Sequence, residues 1–534
     1  MGAFSFALFC YSIAEMASKA SYLKLGCADD LVGWDRVIYR ALEIFPGLLA
    51  WATLIGMVLA SYFIPVYAAF FIIIFDLYWL IKTVFLSLHL RANHKRMREH
   101  MNTDWHERLS RLNWGHLWQL VILPMSRESY LVVSSSVDAI RQSAWPKEKM
   151  ILVLSYEERF EERGRVVAEE IEKEFGSHFP NFLVTTHPRG IPGELSGKGS
   201  NESWAAKEAK KLFIDPKNIP YENIIVSSFD IDTQVDRQYF GILAWHFLTA
   251  KNPMRSSYQP VPIYNNNIWD SPALSRVVAT SGTFWQMMQQ ERPERLTTFS
   301  SHSMSFKTLV DLDFWQTNIV SEDSRIFWNS LLFYDGAYES VPLSYPVSMD
   351  ANLAPTFWQT ARNVYHQQRR WAWGVENFPY VVFGFFFAKG ESASGGKNIK
   401  IPLRTKLYYV FSMLEGYWSW PTNAIMLFAL GWLPILLGGR EFNNLVLAYN
   451  LPTITRTIMT FAMVGMVTSA IISMKLLPPR PARYGKRRHA YMVFQWILVP
   501  FTIIFFGAIP ALDAQTRLML GKYMGFWITP KHRK

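Results

Sequence analysis

Two long apolar runs, residues 44–64 and 66–90, lie near the start of the chain. Each is long enough to cross a bilayer, which takes about 20 apolar residues in a helix. Three more, 422–437 with its flanks, 458–477 and 491–512, follow towards the other end. Between the two groups lie about 300 residues of mixed character that carry most of the acids, the pattern of a soluble domain inserted between membrane segments. Within that stretch 120–123, 151–154, 182–185 and 224–226 are short apolar runs rich in β-branched residues, and 163–175 has helical periodicity. The alternation predicts βαβ units: a mostly parallel, twisted sheet covered by helices, with ligands beyond the carboxyl ends of the strands. Pro124, Ser155 and Phe229 follow three of these runs, so the polar residues just after them are expected at the binding edge.

The pattern divides the chain into an N-terminal segment (1–43), two transmembrane helices (44–90), an α/β domain (91–375), interfacial helices with a connector (376–420), about three further spans (421–512) and a basic tail (513–534). Residues 378–388 are apolar but too short to cross. Residues 403–418 place Lys406 and Glu415 in an aromatic helix expected to lie in the interface. The stretch Glu391-Ser392-Ala393-Ser394-Gly395-Gly396-Lys397 reads as a flexible connector. Asp76 interrupts the second span, where an ionised side chain costs about 2.5–3.5 kcal/mol. It is expected to face protein or water, either in a hydrogen bond to a neighbouring helix or on a pathway.

The net charge of +11 raises the question of nucleic acid, but the basic residues gather beside the membrane runs instead of on one soluble face. Arg91, Lys95, Arg96 and Arg98 follow the second run, and Arg480, Arg483, Lys486, Arg487 and Arg488 fill the linker before the last. By the positive-inside rule both belong in the cytoplasm, and so do the large domain and the amino terminus, two spans before it. A multi-pass protein of the cell membrane is implied, with membrane lipids and no nucleic acid as partners. Residues 1–16 lack the basic start of a secretory signal. Five crossings would put the tail, with Lys522, Lys531, Arg533 and Lys534, outside, against the charge rule; either another segment crosses or the tail tolerates that side. Cys10 and Cys27, the only cysteines, build neither a disulfide framework nor a metal site.

Three polar clusters interrupt the domain. Asp230 and Asp232 follow an apolar run, and in an extended chain residues two apart project to one face with Cα atoms about 7 Å apart. At an effective dielectric near 20 such carboxylates repel by about 2 kcal/mol, which a bound magnesium or manganese ion relieves. For the pair alone, a solvated acidic turn is the plainer reading. Ser321-Glu322-Asp323 precedes an aromatic helix, where a carboxylate is stabilised as an anion and suits a general base; helix capping is the plainer reading. Gln367-Gln368-Arg369-Arg370-Trp371 offers guanidinium groups for a pyrophosphate and an indole face for a sugar, or else an anchor at the headgroups.

Taken in order, Asp230-Ile231-Asp232, Ser321-Glu322-Asp323 and Gln367-x-x-Arg370-Trp371, flanked by membrane helices, resemble the membrane-embedded family 2 glycosyltransferases that include cellulose, chitin and hyaluronan synthases. The resemblance covers about residues 118–373 and the membrane layout. It implies a GT-A-like catalytic domain, inversion at the sugar carbon and a divalent metal, Mg or Mn. On matching positions Asp232 would ligate the metal, and Asp230 would share it or contact the nucleotide. Asp323 would be the general base. Gln367, Arg370 and Trp371 would bind donor pyrophosphate and acceptor sugar, with Glu322 beside the acceptor. Lys198, in Ser196-Gly197-Lys198-Gly199-Ser200-Asn201, matches a basic residue placed near the donor, and His302 would line the acceptor pocket, although a structural hydrogen bond is its plainer reading. The first strand is followed by Pro124-Met125-Ser126-Arg127-Glu128, which keeps only the ends of the family's Pro-x-Tyr-Asn-Glu, so Glu128 is carried over as a donor contact. Glu157 substitutes for the Asp that usually reads the base, and Ser321 replaces the usual Thr.

The resemblance implies a nucleotide-sugar donor, a UDP-sugar by preference, and a glycan or lipid-linked acceptor. The leading expectation is a processive synthase that threads its polymer through its own helices. Transfer of one sugar to a lipid and an inactive membrane scaffold are the alternatives. Other chemistries lack their motifs: His187, His302 and His366 are not at zinc spacing, and neither Gly-x-Ser-x-Gly nor Gly-x-Gly-x-x-Gly after a strand occurs.

Overall fold

The computed structural model describes residues 21–388 and 400–533. Cys10, the region 1–16 and the connector 391–397 lie outside the described residues. The eight strands are β1 (Trp118–Met125), β2 (Met150–Glu157), β3 (Phe182–His187), β4 (Ile224–Ser228), β5 (Gln234–Val235), β6 (Ser256–Ile263), β7 (Ser303–Ser305) and β8 (Glu339–Ser348). They form one sheet in the order β3-β2-β1-β4-β7-β6-β8-β5.

The half predicted from the apolar runs, β3-β2-β1-β4, is parallel throughout. The other half brings in the antiparallel pairs: β7 runs antiparallel to β4 and β6, β6 pairs parallel with β8, and β5 returns antiparallel to β8, so four of the seven strand pairs are parallel. The sheet is therefore mixed. Its unforeseen strands are short or interrupted by proline, and the β6–β8 register shifts beside Pro260.

Alternation along each central strand feeds two cores. Leu120, Ile122, Ile151, Val153, Ile224 and Val226 point to one face, against Ala205 and Ala206 of the helix Lys198–Ala209. Val121, Leu123, Leu152, Leu154 and Ile225 point to the other, against Val133 and Val137 of Tyr130–Gln142 and Ile171 of Glu161–Phe175. Strands buried on both faces read as continuous apolar runs, which is why the sequence betrays them. Each fully buried Val, Leu or Ile side chain contributes about 1.5–3 kcal/mol.

Among the described residues four helices are long and apolar enough to cross a membrane: α1 (Gly33–Phe63), α2 (Pro65–Met101), α3 (Val446–Lys475) and α4 (Arg487–Met519). The run 422–437 is not a separate span. It continues the helix that starts at Leu403, through a π-turn at Met426–Leu430, to Leu433–Leu437. The segment 403–418, expected as a separate interfacial helix, is the first half of this element. Near the domain Glu415 meets Lys82 and Arg295; further along, Trp418 donates to Thr53 at 2.9 Å. A Cβ on Gly438 would lie 2.7 Å from Pro65, so the element ends beside the α1–α2 turn.

α4 both begins and ends against the domain. Arg488 donates to the Trp269 carbonyl, and Leu518 packs with Val320, Ala372 and Trp373. The tail that follows lines a cavity of the domain through Phe526, Ile528, Thr529 and Lys531.

Candidate functional site

The carboxyl ends of β1, β2 and β4 open into a cavity of about 150 Å³. Glu128 reaches it from the loop after β1, Glu157 from the end of β2, and Asp230 and Asp232 from the turn after β4. Helix Lys198–Ala209 contributes its first residue, helix Glu322–Phe333 contributes Glu322 and Asp323, and helix Phe357–Ala372 contributes Gln367, Arg370 and Trp371 from its last turns. Side chains more than 200 residues apart in sequence thus meet in one place. His302 alone among the expected residues is not in the lining.

Lys198 is the centre of charge. Its Nζ lies 2.9 Å from Asp230 Oδ1 and 2.6 Å from Asp323 Oδ1. Burial works against the ammonium, yet Asp230 and Asp323 outweigh it and hold the lysine protonated well above its ordinary range. Burial likewise pushes the Asp230 carboxyl up, but Lys198 and then Lys531 hold it far below the usual carboxylate range. Glu202, one helical turn after Lys198, sits behind this pair and accepts from Ser228. Carboxylate oxygens of Glu202, Glu322 and Asp323 lie within 4.8 Å of one another, a group able to hold a metal ion and different from the pair the sequence singled out.

Burial, followed by the Asp323 charge, raises Glu322 to about 8. A carboxyl titrating higher folded than unfolded favours the fold fully below its unfolded pKa, and that contribution is lost as pH rises through the folded value. The Glu322→Gln variant, measured by melting against pH, should therefore lose less stability than the native chain between about pH 4.5 and 8.

Asp232 is fully buried. Its Oδ2 accepts from the Asp350 backbone N–H and from Lys531 Nζ, both at 2.7 Å, while Oδ1 has no partner among the described residues. An orphaned, buried carboxylate oxygen beside a displaceable ammonium fits a divalent cation. Asp350, which the sequence analysis missed, pairs in turn with Arg533 at 2.8 Å.

His302 makes the structural hydrogen bond of its plainer reading and not the acceptor contact. It is fully buried, its Nδ1 bonds the Phe299 carbonyl at 3.0 Å and lies 3.7 Å from Asp323 Oδ1, and its ring edges Trp315. Burial lowers it to about 4, so the imidazole is neutral and supports Asp323 from behind.

In the Gln367–Trp371 cluster, helical phase sorts the side chains. Arg370 stacks its guanidinium 4.8 Å from the Phe526 ring centroid, and Trp371 packs on Tyr264 and Phe299 at 6.0 and 5.8 Å. Arg369 turns away to Asp513 of α4 at 2.9 Å. The loop carrying Ser321 is pinned by Glu376, which accepts from the N–H groups of Val320 and Ser321, the Ser321 hydroxyl and the Trp373 indole.

The largest omission of the sequence reading is the tail. Phe526, Ile528, Thr529 and Lys531 line the cavity, whereas the sequence reading gave the tail no part in the site. The usable signal was an aromatic and basic stretch, Phe526-Trp527 and Lys531-His532-Arg533, after the last apolar run. A Cβ added to Gly197 would meet the Phe526 ring at 2.7 Å. The Gly197→Val variant should therefore eject the tail, detected as faster tryptic cleavage after Lys522.

No protein-family model and no curated protein matches this sequence. Among solved structures the chain is similar to a mannosyltransferase, PcManGT from Pyrobaculum calidifontis in complex with GDP-Man and Mn2+, at 15% identity and a TM-score of 0.38, covering 73% of this chain and 99% of that one. It is also similar to S. aureus TarS 1-349 in complex with UDP-GlcNAc, at 12% identity and a TM-score of 0.35, covering 68% and 93%.

Proposed function

We propose that the protein is a membrane-integrated, inverting glycosyltransferase that takes sugar from a nucleotide-sugar donor and extends a polysaccharide. The observation that carries this reading is the convergence of Asp230, Asp232, Asp323, Gln367, Arg370 and Trp371 on one cavity at the strand ends. Asp323 takes the proton of the acceptor hydroxyl as its oxygen attacks the sugar carbon from the face opposite the leaving group. The bond from that carbon to the phosphate oxygen breaks, and the nucleoside diphosphate leaves with the electron pair. Arg370 stands where a guanidinium can neutralise the pyrophosphate by paired hydrogen bonds. Trp371, braced by Tyr264 and Phe299, offers its face to the acceptor sugar. Glu128 and Glu157 lie at the strand ends where the nucleoside is expected.

Asp232, with Asp230, would hold a magnesium or manganese ion, which when bound supplies positive charge to the departing diphosphate. Lys198 holds Asp230 ionised and pairs with Asp323, and Lys531 pairs with Asp232 Oδ2.

In the membrane we assign the crossings to α1, α2, the element from Leu403 to Leu437, and α3, with α4 lying along the domain's membrane face. Several contacts support this. α2 and α3 run side by side in the same direction, with Thr83 beside Gly465 and Arg91 donating to Thr468. α4, about 50 Å long at 1.5 Å per residue, touches the domain at both ends. Four crossings return the tail to the domain's side, and the basic residues after α2 and before α4 favour the cytoplasm.

The deciding experiment supplies purified protein with a panel of labelled nucleotide sugars and Mg2+ or Mn2+. A ladder of lengthening glycans is expected; a lipid carrying one sugar would overturn polymerisation, and no transfer from any donor would overturn the enzyme.

A further inference from the structure

A second cavity, about 680 Å³, lies away from the strand ends, between the domain helix Ala273–Gln290, the start of the helix Phe357–Ala372 and the first turns of α4. Two arginines face it. Arg276 is only 3% exposed; its Nε donates to Gln495 at 2.6 Å and its Nη1 to the Ser271 carbonyl at 2.5 Å. Arg488 donates one Nη to the Trp269 carbonyl, and its buried Nε has no partner among the described residues.

Neither arginine pairs with a carboxylate among the described residues. The one acid in the lining, Asp270, is already engaged by Arg483 at 2.7 Å and by Tyr484. Burial, and then the like charge of Arg488, lowers Arg276 to about 10, the mark of a cation short of counter-charge. Burying guanidinium groups without an anion is costly, so the cavity favours a ligand that brings one.

The rim shows what else that ligand carries. Tyr491, Phe494 and Ile497 lie three apart along α4, on one side of the helix, and are 63%, 66% and 73% exposed. Phe357 faces them across the mouth and is 50% exposed. A doubly cationic floor under an apolar rim matches a molecule with a multidentate anionic head and a hydrocarbon body.

We propose that this cavity binds the phosphate headgroup of an anionic membrane phospholipid, with the acyl chains lying along the Tyr491–Phe494–Ile497 side of α4. The site does not depend on the glycosyltransferase reading. The helix that starts at its mouth ends at Gln367–Trp371, so an occupied headgroup site would steady the far end of the same helix.

The test uses the full chain in nanodiscs of phosphatidylcholine containing a minor fraction of phosphatidylglycerol, with retained lipid counted by native mass spectrometry. About ten-fold enrichment of phosphatidylglycerol is expected on the native chain. The R276Q/R488Q pair should abolish it, and Phe494→Ser, at an exposed position, should weaken it several-fold while leaving the melting temperature unchanged. Arg480→Gln, which removes one charge outside the cavity, should leave it intact. Equal retention of both lipids, enrichment that survives R276Q/R488Q and Phe494→Ser, or displacement of the lipid by millimolar inorganic phosphate alone would overturn the proposal, the last by identifying a free-phosphate site.

Discussion

Asp323→Asn is expected to lower turnover by about 10²–10⁴-fold, the range for removal of a general base, while donor affinity changes only a few-fold. Asparagine keeps the shape of the side chain and its place at the start of helix Glu322–Phe333, but it cannot take a proton. The substitution also removes one of the two carboxylates that Lys198 bridges at 2.9 and 2.6 Å. The remaining partner, Asp230, still anchors the ammonium, so the donor side of the cavity should survive. Initial rates with saturating nucleotide sugar, set beside donor binding by calorimetry, separate the two effects. A variant that turns over at the native rate would remove Asp323 from the chemistry and leave the inactive scaffold as the better account.

Asp232→Asn should be as damaging to activity and should act on a different part of the protein. Its carboxylate is fully buried, with one oxygen on Lys531 and Asp350 and the other orphaned. Removing the charge leaves Lys531 buried without its nearest anion, at a cost of about 3–5 kcal/mol for a broken buried pair. The tail should then leave the cavity. We expect turnover at least about a hundred-fold lower, the characteristic loss when a metal-supported charge is removed, with Mn2+ binding weakened in parallel. Trypsin should also cleave faster after Lys522 and Lys531. Loss of activity with a tail as protected as in the native chain would show that Lys531 is held by other contacts, and undiminished Mn2+ binding would move the metal to the Glu202–Glu322–Asp323 group.

What the sequence discloses about this fold follows from how each element is buried. Residues 120–123, 151–154 and 224–226 are buried on both faces of the sheet, so their apolar runs are continuous and easily read. β6 and β8 are no less structural, but Pro260, Pro262, Pro342 and Pro346 and their serines give them the look of loops. The site clusters were legible because charged groups stand out against apolar strand ends. Glu202 and Asp350 were not, because their partners, among them Ser228 and Arg533, come from other parts of the chain. For His302 the sequence left both an acceptor contact and a structural hydrogen bond open, since spacing says nothing about which side of Asp323 an imidazole occupies. Lys531 was legible only as part of a basic tail that five crossings would put outside, and only the return of α4 to the domain makes it a partner of Asp232.

That return has a consequence for how the protein comes into being and how it can be dissected. The wall formed by Phe526, Ile528, Thr529 and Lys531 leaves the ribosome only after α1, α2, α3 and α4 have been made. A nascent domain therefore waits with an open cleft until the tail has been made. A fragment cut from the middle of the chain would retain the strands and Asp323 yet lack the counter-ion of Asp232, so measurements on such a fragment would describe a half-built cavity.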